Sequence, residues 1–152
     1  MSFGANFQRP TLNVERSSQD GTAPSPGKFE LEERLLDYSA AIICLTEVLP
    51  QTRAANYVAG QLLRSGTSPL PNHGEAQAAE SAADFAHKIS ICLKELRESR
   101  RWLRLIKRAQ LMRQAEAVDN LIGETEELIR IFFSSLRTVK KRTLRKNGPD
   151  GR

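Results

Sequence analysis

A chain of 152 residues supplies enough material for one domain with a single modest core, once a tail without apolar patterning is set aside. Aromatic residues make up only 6% of it and the apolar set is mostly Leu, Ile and Ala, which suits interdigitating helices and argues against a β-sandwich. The net charge of +5 is small and unevenly placed, and no apolar run approaches the roughly 18 residues needed to span a bilayer.

Residues 1–28 hold four Ser, three Pro and three Gly without a sustained apolar period, so a disordered tail is expected there. They also lack the hydrophobic middle of a secretion signal. A first helix is predicted from about Glu30 to Leu49, where Leu31, Leu35, Tyr38, Ile42, Leu45 and Leu49 recur at alternating steps of four and three. Glu30, Glu32 and Glu33 would then face the positive end of the helix dipole, and Pro50 ends the helix by pushing Leu49 out of the α region. A second helix runs from about Thr52 to Ser65 with Ala55, Val58, Leu62 and Ser65 inward. Pro69, Pro71 and Gly74 then predict a kink or a loop, because each proline removes a backbone donor and crowds the preceding turn.

The third helix, from about Ala82 to Gln110, opens on a capping-box-like pair, Ser81 and Asp84. Its inner stripe is Phe85, Ile89, Cys92, Leu96, Ser99, Leu103 and Ile106. The fourth, from about Ala115 to Leu144, carries Val118, Leu121, Leu128, Phe132 and Val139 on one stripe and Ile122, Ile129, Phe133 and Leu136 beside it. Two adjacent stripes exceed what one seam of a bundle requires, which is compatible with a second contact surface for a neighbouring subunit. The expected fold is all-α, an up-and-down antiparallel four-helix bundle over residues 29–146 with residues 147–152 disordered. Cys44 and Cys92 both fall in apolar helical patterns, where a thiol packs as a small hydrophobe, and a reducing cytoplasm is the expected setting.

Positive charge is concentrated in two blocks. On the third helix Lys94, Arg97, Arg101, Arg104 and Arg108 fall at steps of three and four, lining one face for roughly 20 Å at 1.5 Å per residue. Arg100, Lys107 and Arg113 broaden it. Such a row can neutralise several phosphates of RNA or DNA and gain affinity by counterion release, reading charge rather than sequence. The alternative is a solvated face, with Glu98 reaching Arg101 and with Glu124, Glu126 and Glu127 of the fourth helix neutralising the rest. The second block, Arg137, Lys140, Lys141, Arg142, Arg145 and Lys146, exceeds what a helix C-terminus needs for its dipole. No interleaved aromatic platform for stacking bases is visible.

Catalytic signatures are weak. Asp84 and His87 share a helix side, but a di-iron bundle needs Glu-x-x-His twice, and no second copy exists. His73 and Glu75 could form an acid and base pair in the proline-rich elbow, although backbone geometry already accounts for the elbow. No phosphate-cradling glycine loop, nucleophile elbow or zinc-type spacing is present, so neither a cofactor nor a metal nor a small-molecule substrate is implied. A non-enzyme is expected.

Gln61, Arg64, Ser65, Ser68, Asn72, Glu75, Ala76, Ser81, Asp84, Phe85, Lys88, Glu95, Glu98, Trp102 and Leu103 stand in an order and spacing that resembles the four-helix-bundle family encoded in intervening sequences of bacterial 23S ribosomal RNA genes. The resemblance implies a homopentamer and no settled biochemical function. The family's commoner form carries Ile-like residues at the positions of Pro69 and His73 and continues helically there. At fold level the chain is also similar to the accessory protein of diversity-generating retroelements, a small basic pentameric bundle that works with nucleic acid. Residues and resemblance together lead to two expectations: a homo-oligomeric bundle that binds RNA or DNA phosphates, or a protein-binding scaffold with no nucleic-acid ligand.

Overall fold

The computed structural model describes residues 26–146, and residues 1–25 and 147–152, expected to be disordered, lie outside the described residues. Five helical segments follow one another: α1 Pro26–Glu47, α2 Arg53–Thr67, α3 Pro69–Gln77, α4 Ala82–Arg108 and α5 Ala115–Lys146. The second and third are separated by Ser68 alone, so the five segments make four rods. α4 packs most broadly on α5 and also covers α2 and α3, whereas α1 meets α2, α3 and, along its slimmest seam, α5. α1 and α4 are therefore diagonal. Lys107 beside Asp119 and Arg100 beside Glu126 show that α4 and α5 run antiparallel, as do Arg64 beside Glu98 and Lys88 beside Glu75 for the rod of α2 and α3 against α4.

The alternating four-and-three stripes become the core. Leu35, Tyr38, Ile42, Leu45 and Leu49 of α1 are buried, with Leu31 packed against them. They meet Ala55, Val58 and Leu62 of α2, Ile89, Cys92, Leu96, Leu103 and Ile106 of α4, and Val118, Leu121, Leu128 and Phe132 of α5. Burying each such large side chain is worth about 1.5–3 kcal/mol, which is what holds the amphipathic rods together.

Four expectations need correction. α1 starts at Pro26, which suits a first helical position, so the first turn holds no acid and Glu30, Glu32 and Glu33 lie beyond the dipole's reach. Residues 26–28 consequently belong to the helix and not to the tail. The segment after Thr67 is helical, because Ser68 keeps αR dihedrals (φ −60°, ψ −34°) and Pro69 sits in the first turn of α3, where no amide donor is required. Cys44 is exposed, in contrast to the buried Cys92. The second stripe of α5 is largely consumed inside the chain, since Ile122, Ile129 and Leu136 pack against the core and only Phe133 remains 49% exposed.

Local signals set the ends of the rods. The Thr52 hydroxyl accepts from the Ala55 amide at 3.2 Å and the Ser81 hydroxyl accepts from the Asp84 amide at 3.1 Å, each relieving one orphan donor of a helix start. α4 ends where Gln110 turns left-handed at φ 52°, with the Leu111 amide donating to the Ile106 carbonyl and the Gln110 amide to that of Lys107. That pair of bonds is a Schellman cap.

Two further features fix how the rods approach. At Gly66 the Ile42 side chain of α1 lies so close on the α2 backbone that an added Cβ would be 2.8 Å from Ile42 Cγ2. A layer of buried hydroxyls crosses the core, one from each rod: Tyr38, Ser65, Ser99 and Thr125. The Thr125 hydroxyl donates to the Leu121 carbonyl at 2.6 Å, leaving its oxygen to accept from the Tyr38 phenol at 2.8 Å, and the Ser99 hydroxyl lies 3.0 Å from that of Ser65. Burial pushes the Tyr38 phenol up to about 12 and the Cys92 thiol up to about 12.

Gly66→Ala should lower stability by about 1–3 kcal/mol through overpacking against Ile42. Gly60→Ala, which meets nothing within 4 Å, should raise it by roughly 0.5–1 kcal/mol; urea midpoints of the two variants check the contrast. Because the folded-state values of Tyr38 and Cys92 are raised, their contribution is complete below their ordinary values of 10.0 and 9.0 and is lost as pH climbs towards about 12. Denaturant midpoints should therefore fall between pH 9 and 12, with a shallower fall in Tyr38→Phe.

Candidate nucleic-acid interface

The heptad stripe that buries one side of α4 turns its basic row outward. Lys94, Arg97, Arg101, Arg104 and Arg108 are all exposed, and among the described residues none of them forms an ion pair. The acids that could have covered them are committed elsewhere. Glu124 receives both Nε and Nη2 of Arg34 at 2.6 and 3.0 Å, and this carboxylate raises the Arg34 guanidinium above its ordinary range. Glu126 lies 3.9 Å from Arg100, Asp119 takes Lys107, and Glu127 takes Arg130 on its own helix.

Glu98 does not serve Arg101 as the spacing allows. It accepts from Arg64 Nη2 at 2.7 Å and from the Trp102 indole at 3.3 Å, because its side of α4 faces α2. About three turns along the same seam Glu75 holds Lys88, raising that ammonium above its usual range. Asn72 Nδ2 donates to the Ser68 carbonyl at 2.9 Å, satisfying a backbone acceptor beside the break. Arg64, Ser68, Asn72, Glu75, Lys88, Glu98 and Trp102 thus secure α2 and α3 to α4 or stabilise the break between them.

The second block is equally open. Lys140, Lys141, Arg142 and Arg145 are exposed and take part in no ion pair among the described residues. Arg142 and Arg145 border a shallow groove with Phe85 and Ala82, at the start of α4. The two blocks are consequently not brought together: Phe85 and Lys94 differ by about 13 Å along the helix axis at 1.5 Å per residue. The row occupies the C-terminal half of α4, and the block flanks its beginning.

The proposed acid and base pair is not assembled. His73 is buried, with Nε2 3.1 Å from Gln77 Nε2 and its ring edge-on to Phe132 at 6.0 Å, while Glu75 turns outward to Lys88. The Asp84 amide donates to the Ser81 cap and His87 is exposed. Among the described residues no group of three His, Cys, Asp or Glu is placed to hold a metal ion, and no helix is long and apolar enough to cross a membrane.

One surface feature escaped the sequence pattern. Tyr57 of α2 stands edge-on to Trp102 of α4, ring centroids 6.2 Å apart at 81°. Tyr57 lies opposite the buried face of α2, so only the packing of α2 on α4 reveals its neighbour. A groove of about 1180 Å³ also opens between α1 and α5, lined by Cys44, Val48, Met112 and Leu121 among others.

The model of the 23S rRNA-intervening sequence protein family matches residues 28–134. The chain belongs to that family. The matched span runs through the whole α4 row and stops short of Lys140–Arg145, so the second block lies outside what this intervening sequence protein has in common with the family model. A crystal structure from Bacteroides thetaiotaomicron, described as a protein of unknown function from the S23 ribosomal protein family, is similar at 29% identity and a TM-score of 0.66, covering 72% of this chain and 97% of that one. No curated protein matches. Neither description names a catalytic activity.

Proposed function

We propose that this protein is a non-catalytic bundle that binds RNA or DNA phosphates without base specificity, through Lys94, Arg97, Arg101, Arg104 and Arg108. The observation that carries this reading is the row itself: five exposed cations on one rigid helix, unpaired among the described residues, with the neighbouring acids turned into the seams. An uncompensated line of like charge raises the local concentration of polyanions and gains affinity as their counterions leave. Lys140, Lys141, Arg142 and Arg145 give a second contact around the start of α4.

The protein acts as a homo-oligomer in this reading. The apolar groove between α1 and α5 and the exposed Leu36, Ile43 and Val48 of α1 support a subunit contact, and the number five rests on the resemblance alone. A cytoplasmic location fits two unpaired thiols. The competing role is a protein-binding scaffold whose cationic row meets acids of another subunit.

Titrating salt against binding to random single strands and duplexes tests the proposal. Engaging three phosphates of a duplex predicts about a 40-fold loss of affinity between 50 and 200 mM salt. The triple replacement Arg101→Gln, Arg104→Gln and Arg108→Gln should lower the slope of log K against log salt by about three and leave the oligomer intact. No binding at low salt would remove the proposal, and dissociation of the oligomer by the triple variant would favour the scaffold.

A further inference from the structure

On its α2 side the row is bordered by apolar and aromatic surface as well as by the Arg64 and Glu98 pair. Leu105, one turn from Arg101 and from Arg108, is 43% exposed, and beyond it Trp102 carries Tyr57, which is 63% exposed. At i, i+3 and i, i+4 spacings these side chains are surface neighbours: Arg101 with Leu105, Leu105 with Arg108, Trp102 with Leu105. The one acid in the strip, Glu98, is held by Arg64 and the Trp102 indole and presents little free charge. The surface therefore changes from guanidinium to aromatic within the width of one helix.

Resting on the phosphate-binding reading, we infer that the juxtaposition of Arg101 and Arg108 with Leu105 and, beyond it, the Trp102 and Tyr57 pair assigns this face to unpaired nucleotides: the arginines take the phosphates and a base lies against the Tyr57 ring. A duplex keeps its bases paired and stacked, so the aromatic strip would meet only its backbone. A single strand offers both components, an anionic backbone and π-faces free to stack. The edge-on contact with Trp102 leaves a face of the Tyr57 ring open and holds the ring in place, so ordering it on binding costs little. RNA and DNA share this chemistry, and the sequence of the strand is immaterial to it.

The test uses the full-length protein with a fluorescent single-stranded DNA, the same strand as RNA, and the DNA duplex, each at low salt and then across a salt series. Tyr57→Ala should weaken both single strands about tenfold, spare the duplex, and leave the salt slope unchanged because no charge is removed. Tyr57→Phe should retain wild-type affinity. Trp102 is the only tryptophan, so its fluorescence reports on the site directly and should change on adding single strand. A weaker RNA arm or DNA arm tells which sugar the site favours. If Tyr57→Ala leaves single-strand and duplex affinity alike unaltered, the inference fails while phosphate binding stands. If Tyr57→Ala breaks the oligomer without a selective loss of single strand, the patch is a subunit contact and the inference is overturned. Absence of binding to every strand sinks both readings.

Discussion

A layer of hydroxyls at the middle of an otherwise apolar interior constrains how the four rods sit. Tyr38, Ser65, Ser99 and Thr125 come from different rods, and each buried hydroxyl needs a partner. Leucine and isoleucine contacts are non-directional and tolerate a slip along the axis, whereas the Tyr38 phenol finds Thr125 in only one register. Once that register is set, Arg34 reaches Glu124 across one seam and Arg64 reaches Glu98 across another. The directional bonds contribute little net free energy individually, but they select one alignment from many that would bury similar area.

The same register decides the electrostatics. α4 is gripped along both flanks, by Arg64 and Glu75 on one side and by Asp119 and Glu126 on the other, and each grip uses an acid. Only the outermost strip of α4 is left without carboxylates. A chain of modest net charge thereby acquires a strongly cationic face, because the acids nearest to it are paired with Arg34, Arg64, Arg100 and Lys107 in the seams and none is left for the row. Glu98 shows the competition: its spacing suits Arg101, yet the proximity of α2 gives it to Arg64.

Much of this was legible in the residues. The stripe from Leu31 to Leu49 and that from Phe85 to Ile106 name the buried faces almost residue by residue, since one helical period suffices to define them. The outward row follows from the same period by subtraction. What needed three dimensions was anything dependent on the identity of the neighbouring rod. Proline was read as a breaker, although Pro69 occupies a helix start; Cys44 was read as core, although it faces the open groove beside Val48. For the second stripe of α5, compatible in sequence with a second contact surface, the residues give the width of the apolar arc and not whether one neighbour or two will cover it. Tyr57 and Trp102 are separated by most of one rod and most of the next, and no local pattern joins them.

The thin seam between α1 and α5 has a topological meaning. The Arg34 to Glu124 bond closes a loop of 90 positions, the most demanding closure among the bonds between rods, while α4 and α5 meet across a short turn. Ordering the chain from local to remote makes the seam between the first and last rods the final one to close, after each rod has met its neighbour in sequence. A seam that closes last and rests on few contacts is also the place where the bundle opens most readily.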